Sequence, residues 1–173
     1  MGERVAWQGR RMGVVIAEVE GPGGDRFERE IIHHPGAVAV LPLHDDGTVT
    51  LVHQYRVAVG SDVWEVPAGL RDIADEPTEE TARRELAEEV GLRAGRLERL
   101  AMFHNSVGFS DEAVVIYLAR DLSAVADDRQ GVEEEHMRVE RMPLDAALAM
   151  VDDGRITDAK TVIALLTLSR RSM

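Results

Sequence analysis

The stretch GLRDIADEPTEETARRELAEEVGL, residues 69–92, reads as a loop followed by a helix over residues 77–90. Pro77 suits the first helical position, where its missing N–H would have no partner anyway. Glu79 and Glu80 suit the positive end of the helix dipole. Gly91 suits the left-handed residue just past the end. Within the helix Glu85, Glu88 and Glu89 fall at i, i+3 and i+4, on one face, where like charges repel. Glu79 pairs with Arg83 and Glu80 with Arg84 in the favourable i, i+4 order. Arg84 also reaches Glu88, but Glu85 and Glu89 stay unmatched in this reading. Two readings follow. The face is a solvated acidic surface, or its carboxylates collect a hard divalent cation, which takes oxygen ligands.

Working outward, VVIAEVE and FEREII flank the glycine-rich GPGGD and predict a hairpin over residues 13–32. HHPG then breaks the pattern. This divides the chain into an N-terminal β-hairpin segment, 1–36, and a main domain, 37–173. AVAVLPL, TVTLVHQYR and VWEVPAG read as strands, and so do LERLAMFH and AVVIYLARDL, which flank the loop NSVGFSDE. An acidic loop, DDRQGVEEE, precedes a strand at HMRVERM. Residues 144–152 and 158–170 read as helices. Strands outnumber helices and the order is mixed, which predicts an α+β sandwich around a mixed sheet.

The chain has 173 residues, room for one domain with a sizeable core. Its net charge of −12 argues against binding nucleic acid or an anionic membrane. No apolar run approaches ~18 residues, so no membrane span is expected. Cysteine is absent, which removes thiolate metal sites and thiol nucleophiles and fits a cytoplasmic location. His33 and His34 precede Pro35 and read as loop residues, and His44, His53, His104 and His136 show no zinc-site spacing.

Residues 69–92 also resemble the Nudix box, G-x5-E-x7-R-E-U-x-E-E-x-G-U with U aliphatic. Glu76, Arg84, Glu85, Leu86, Glu88, Glu89, Gly91 and Leu92 match it. Six residues, not five, separate Gly69 from Glu76. The insertion is placed in the loop, because one extra helical residue would rotate the face by ~100°. QYR at 54–56, EVPAGL at 65–70, GFSDE at 108–112 and GRITDAKTVIALL at 154–166 are similar to the ADP-ribose pyrophosphatase branch.

The resemblance implies a Nudix α/β/α sandwich and metal-dependent hydrolysis of the pyrophosphate bond of ADP-ribose to AMP and ribose 5-phosphate. Its alternatives are hydrolysis of another nucleoside diphosphate sugar, or a non-catalytic Nudix-like nucleotide-binding module. It implies two or more Mg2+ or Mn2+ ions held by Ala68 through its carbonyl, Glu85, Glu88 and Glu89, with Arg84 and Glu76 orienting the cluster. It implies a base on the acidic loop, Glu133 with Glu135 as alternate and Glu134 between them, or Glu88 on the helix. Arg56, Glu65, Trp64, Glu112, Phe109 and His104 are the implied substrate contacts. Glu65 and Glu112 could instead serve to hold arginines. Val107 stands where this branch often has proline, whose fixed φ stiffens a loop. The branch also implies a homodimer, in which N-terminal strands of one chain cover the other's site.

Overall fold

The computed structural model describes residues 2–126 and 137–171. Strand β4 (Ala37–Pro42) explains the layering. Its side chains alternate, as a strand requires, and both sides are apolar. Val38 and Val40 pack on one face with Ala82 and Leu86, while Ala39 and Leu41 pack on the other with Leu51, Leu165 and Leu168. A strand buried on both faces sits at the centre of its sheet. Accordingly β4 runs parallel to β9 (Ala113–Ala124) and antiparallel to the short β7 (Ala68–Leu70). With β8 (Leu92–His104) these form a four-stranded mixed sheet, β7-β4-β9-β8. A second sheet has β5 (Thr48–Arg56) between β6 (Ser61–Glu65) and β10 (Arg138–Pro143).

Helix α1 (Thr78–Val90) covers one face of the mixed sheet through Ala82 and Leu86. The opposite core is closed by the second sheet and by α2 (Leu144–Asp152) and α3 (Ala159–Arg171), which contribute Ala147, Met150, Ala164, Leu165 and Leu168. The expected α+β sandwich is the fold found. No helix among the described residues is long and apolar enough to cross a membrane.

Local details differ from the expectation. VWEVPAG is two strands in two sheets. The chain leaves β6 at Glu65 and re-forms as β7 from Ala68, with Pro67 between them. Proline has no N–H to give a ladder, so a strand breaks there at little cost. Pro77 is the residue before the helix, extended at ψ 141, and its carbonyl accepts the amides of Glu80 and Thr81. Gly91 is left-handed at φ 63 as expected.

The N-terminal hairpin is β2 (Gly13–Glu20) and β3 (Arg26–His33), and a strand not foreseen, β1 (Glu3–Gln8), adds to β2. All six residues of β1 are exposed, so no burial alternation marked it in the sequence.

Candidate active site

Helix α1 and strand β7 meet over the glutamate face. Glu85 and Glu89 are 8% and 5% exposed, which is uncommon for carboxylates and demands partners. Glu89 Oε2 accepts the amide of Ala68 at 3.1 Å. Arg84 Nη1 donates to Glu85 Oε1 at 2.7 Å and to Glu88 Oε2 at 3.2 Å. Its Nη2 lies 3.3 Å from Glu76 Oε2, which also accepts the Thr81 hydroxyl at 2.7 Å. The reading that left Glu85 and Glu89 unmatched is therefore corrected. Arg84 reaches its sequence neighbour Glu85, and the partner of Glu89 comes from another element. The Thr81 hydroxyl, and then Arg84, hold the Glu76 carboxyl below the usual range. Burial alone would lower the Arg84 pKa, but its three glutamates raise it.

The loop before α1 absorbs the extra residue. Asp75 takes a left-handed conformation, φ 61, and Glu76 still meets Thr81 and Arg84 on the helix. Gly69 has a different duty. A Cβ there would lie 1.9 Å from the Glu85 carboxyl, so with any other residue at 69 that carboxyl must move.

A cavity of about 530 Å³ opens in front of this face. Ala68, Arg84, Glu85, Glu88 and Glu89 line it, and so do Arg56 and Lys160. Behind those two cations lies Glu65, 2% exposed. It accepts Arg56 Nε at 2.6 Å, Arg56 Nη2 at 2.9 Å and Lys160 Nζ at 2.5 Å. Burial pushes the Glu65 pKa up, but the two cations outweigh it and hold the carboxyl below its ordinary value. Asp158 accepts Lys160 Nζ at 2.8 Å with one oxygen, and the Thr161 amide at 2.9 Å with the other. Glu65 thus holds Arg56, the second of the two roles the sequence left open.

Arg11 and Met12 from the β1–β2 turn also line it, with His34, Asn105 and Glu112. Ala68, Arg56, Arg84, Glu85, Glu88, Glu89 and Glu112, all singled out in the sequence, line this one cavity. Trp64, Phe109 and His104 do not line this cavity. The Trp64 ring lies against His53, centroids 4.4 Å apart, while Phe109 and His104 are exposed. Glu133, Glu134 and Glu135 lie outside the described residues. Sequence reasoning missed Lys160, Asp158, Arg11, His34 and Asn105. The TDAKT stretch carried a signal for the first two, a capping aspartate beside a lysine; the others had none.

Among the described residues no three acidic or histidine side chains converge as a ready metal cage. The donor set nonetheless fits a hard cation. Its oxygens are buried carboxylates, and the glycine at 69 leaves the Glu85 carboxyl the room a side chain would fill.

Comparison with known proteins bears on this site. The NUDIX domain family matches residues 33–165. The ADP-ribose pyrophosphatase of Bacillus subtilis (strain 168) is 39% identical over 159 residues, covering 92% of this chain and 85% of the relative. The ADP-ribose pyrophosphatase of Mycobacterium tuberculosis (strain ATCC 25618 / H37Rv) is 40% identical over 151 residues, 87% and 73% of the two chains. A solved structure described as an ADP compounds hydrolase superposes with a TM-score of 0.84 at 26% identity, covering 98% of this chain and 91% of that one.

Proposed function

This chain belongs to the NUDIX domain family, and from that premise we propose that it hydrolyses the pyrophosphate bond of ADP-ribose to AMP and ribose 5-phosphate. The observation that carries the reading is the cavity itself, whose lining joins the carboxylates of α1 with two cations, Arg56 and Lys160. A diphosphate is a dianion whose oxygens repel a nucleophile. It needs cations along its length and a place for metal.

Ala68, Glu85, Glu88 and Glu89 would hold Mg2+ or Mn2+. Bound there, the metal supplies charge screening and a lowered pKa for its water. Arg84 and Glu76 orient the glutamates. Arg56, fixed by two bonds to Glu65, presents its guanidinium to a phosphate oxygen without searching for a rotamer. Lys160, tied to Glu65 and Asp158, adds a second positive charge beside it. Glu112 and Asn105 offer polar contacts for the ribose hydroxyls. Glu133 takes the proton from the attacking water, with Glu135 as alternate, a role that rests on the family resemblance.

The exposed β1, with Val5 67% and Trp7 55% exposed, supports a homodimer in which residues 1–36 meet a second copy. The test of the reaction is a panel of nucleoside diphosphate derivatives with Mg2+, products identified by phosphorus NMR. AMP and ribose 5-phosphate from ADP-ribose, lost in excess chelator, is the expected result. Preference for another nucleoside diphosphate sugar changes the substrate and keeps the reaction. Binding with no turnover of any compound overturns it.

A further inference from the structure

Besides its β1–β2 turn, the N-terminal sheet reaches the cavity at the end of β3. The end of β3 runs beside the loop that joins β8 to β9, with Ile32 bridged to Ser110. The Ile32 amide donates to the Phe109 carbonyl at 2.7 Å, and the Asp111 amide donates back to the Ile32 carbonyl at 3.3 Å. The Asp111 carboxylate then takes two donors. Oδ1 accepts the His34 amide at 2.8 Å, and Oδ2 meets His33 Nδ1 at 2.6 Å. The far nitrogen of the same ring, Nε2, lies 3.3 Å from Glu3 on β1. The residues next in chain on each side, His34 and Glu112, line the cavity, their side chains 3.8 Å apart.

Both ring nitrogens of His33 face carboxylates, and a carboxylate can only accept. A neutral imidazole has one N–H, so it can satisfy one of the two; the imidazolium satisfies both. We infer that His33 is a positioning residue for the hydrolysis proposed above: its doubly protonated ring ties Glu3 to Asp111 and thereby sets Glu112 and His34 on the cavity wall.

The charged groups facing the ring are Asp111 from the loop and Glu3 from β1. His34 follows in the chain, with Glu112 as its own neighbour. The bond to Asp111, then that to Glu3, raises the His33 pKa above 6.5, against a small opposing effect of burial. With the folded pKa raised, the clamp is complete at low pH and is lost as pH rises through that value. His33 touches none of the glutamates of α1, so its titration moves substrate affinity and not the metal face.

The inference rests on the hydrolase reading, and the test separates the two. KM and kcat for ADP-ribose with Mg2+ are measured from pH 6 to pH 9 for wild type, His33→Ala, His33→Arg and Asp111→Asn. In wild type KM should rise about fivefold across the range, the scale of one half-exposed charge pair. His33→Ala and Asp111→Asn should show the high KM throughout with kcat near wild type. His33→Arg keeps donors at every pH and should hold KM low and flat. If His33→Ala fails to fold, Asp111→Asn and His33→Arg decide alone.

A KM in the folded variants within twofold of wild type, or a wild-type inflection retained in His33→Arg, overturns the inference while the hydrolase reading stands. Absence of turnover in wild type overturns that reading instead. Hydrogen exchange then decides the clamp: protection at the His34 and Asp111 amides should fall with pH in wild type relative to His33→Arg. Equal protection rejects it.

Discussion

Glu89 makes the sharpest test of the metal face, because its carboxylate is 5% exposed and fixed on the Ala68 amide. Glu89→Gln keeps the volume and the acceptor but removes the charge. With Mg2+ it should lower kcat by about 100-fold or more, ~3 kcal/mol of transition-state stabilisation, and calorimetry should show weaker Mg2+ binding. Unchanged binding would take Glu89 out of the ligand set. Glu65 acts by a different route. Its buried carboxylate is what keeps Arg56 and Lys160 close together. Glu65→Gln removes the charge that Arg56 and Lys160 share, while Lys160 keeps Asp158, at a cost of about 2 kcal/mol in urea unfolding at pH 7, the scale of a hydrogen bond to a charged group. Because the folded pKa of Glu65 is lowered, its contribution is complete above the ordinary carboxylate value and is lost as pH falls toward the folded one. The stability gap between wild type and Glu65→Gln should therefore narrow below about pH 4.3. Equal gaps at pH 7 and pH 3.5 would show that the pair does not carry it. For the base, Glu133→Gln should cut kcat by about 10²–10⁴-fold with Mg2+ affinity intact. A near-normal kcat there, in Glu134→Gln, in Glu135→Gln and in the triple variant moves the role to Glu88.

At the scale of elements, the site depends on a strand lying almost on a helix. Strand β7 crosses α1 where Gly69 meets the Glu85 carboxyl, 1.9 Å from an added Cβ. Leu86 and Ala82 pin the other side of the helix to β4, both fully buried. The helix therefore cannot back away to make room. Gly69→Ala should displace the carboxyl by about an ångström and reduce kcat by about 100-fold, with circular dichroism unchanged. Activity close to wild type would mean that Glu85 swings aside freely.

Across the whole molecule, the N-terminal sheet is joined to the main body through Ile32, His33 and His34, and its β1–β2 turn brings Arg11 and Met12 to the cavity. It leaves Val5 and Trp7 on the surface. Removing residues 1–34 strips one wall of the cavity and the exposed apolar side chains together. The truncated chain should run as a monomer in light scattering and bind ADP-ribose far more weakly. An intact chain that is itself monomeric would reject the dimer, and an unchanged KM would reject the role of the wall.

Local pattern in the sequence determined a good deal: the helix read over 77–90 and found over 78–90, its glycine stop, the strands of both sheets in the main domain, and the choice of Glu85, Glu88 and Glu89 as one face. Those features follow from backbone periods of 3.6 and 2, which operate between near neighbours. It could not say what each carboxylate meets. Glu89 bonds an amide 21 residues away and Glu65 a lysine 95 residues away. Nor could it part Ala68 from the strand that ends at Glu65, since both halves read as extended chain and only the two sheets decide where each one pairs. Arg11, His34 and Asn105 are polar residues in unremarkable surroundings until the fold sets them around one cavity. Spacing governs contacts within a turn or a strand pair; contacts between distant segments are chosen by packing the whole core.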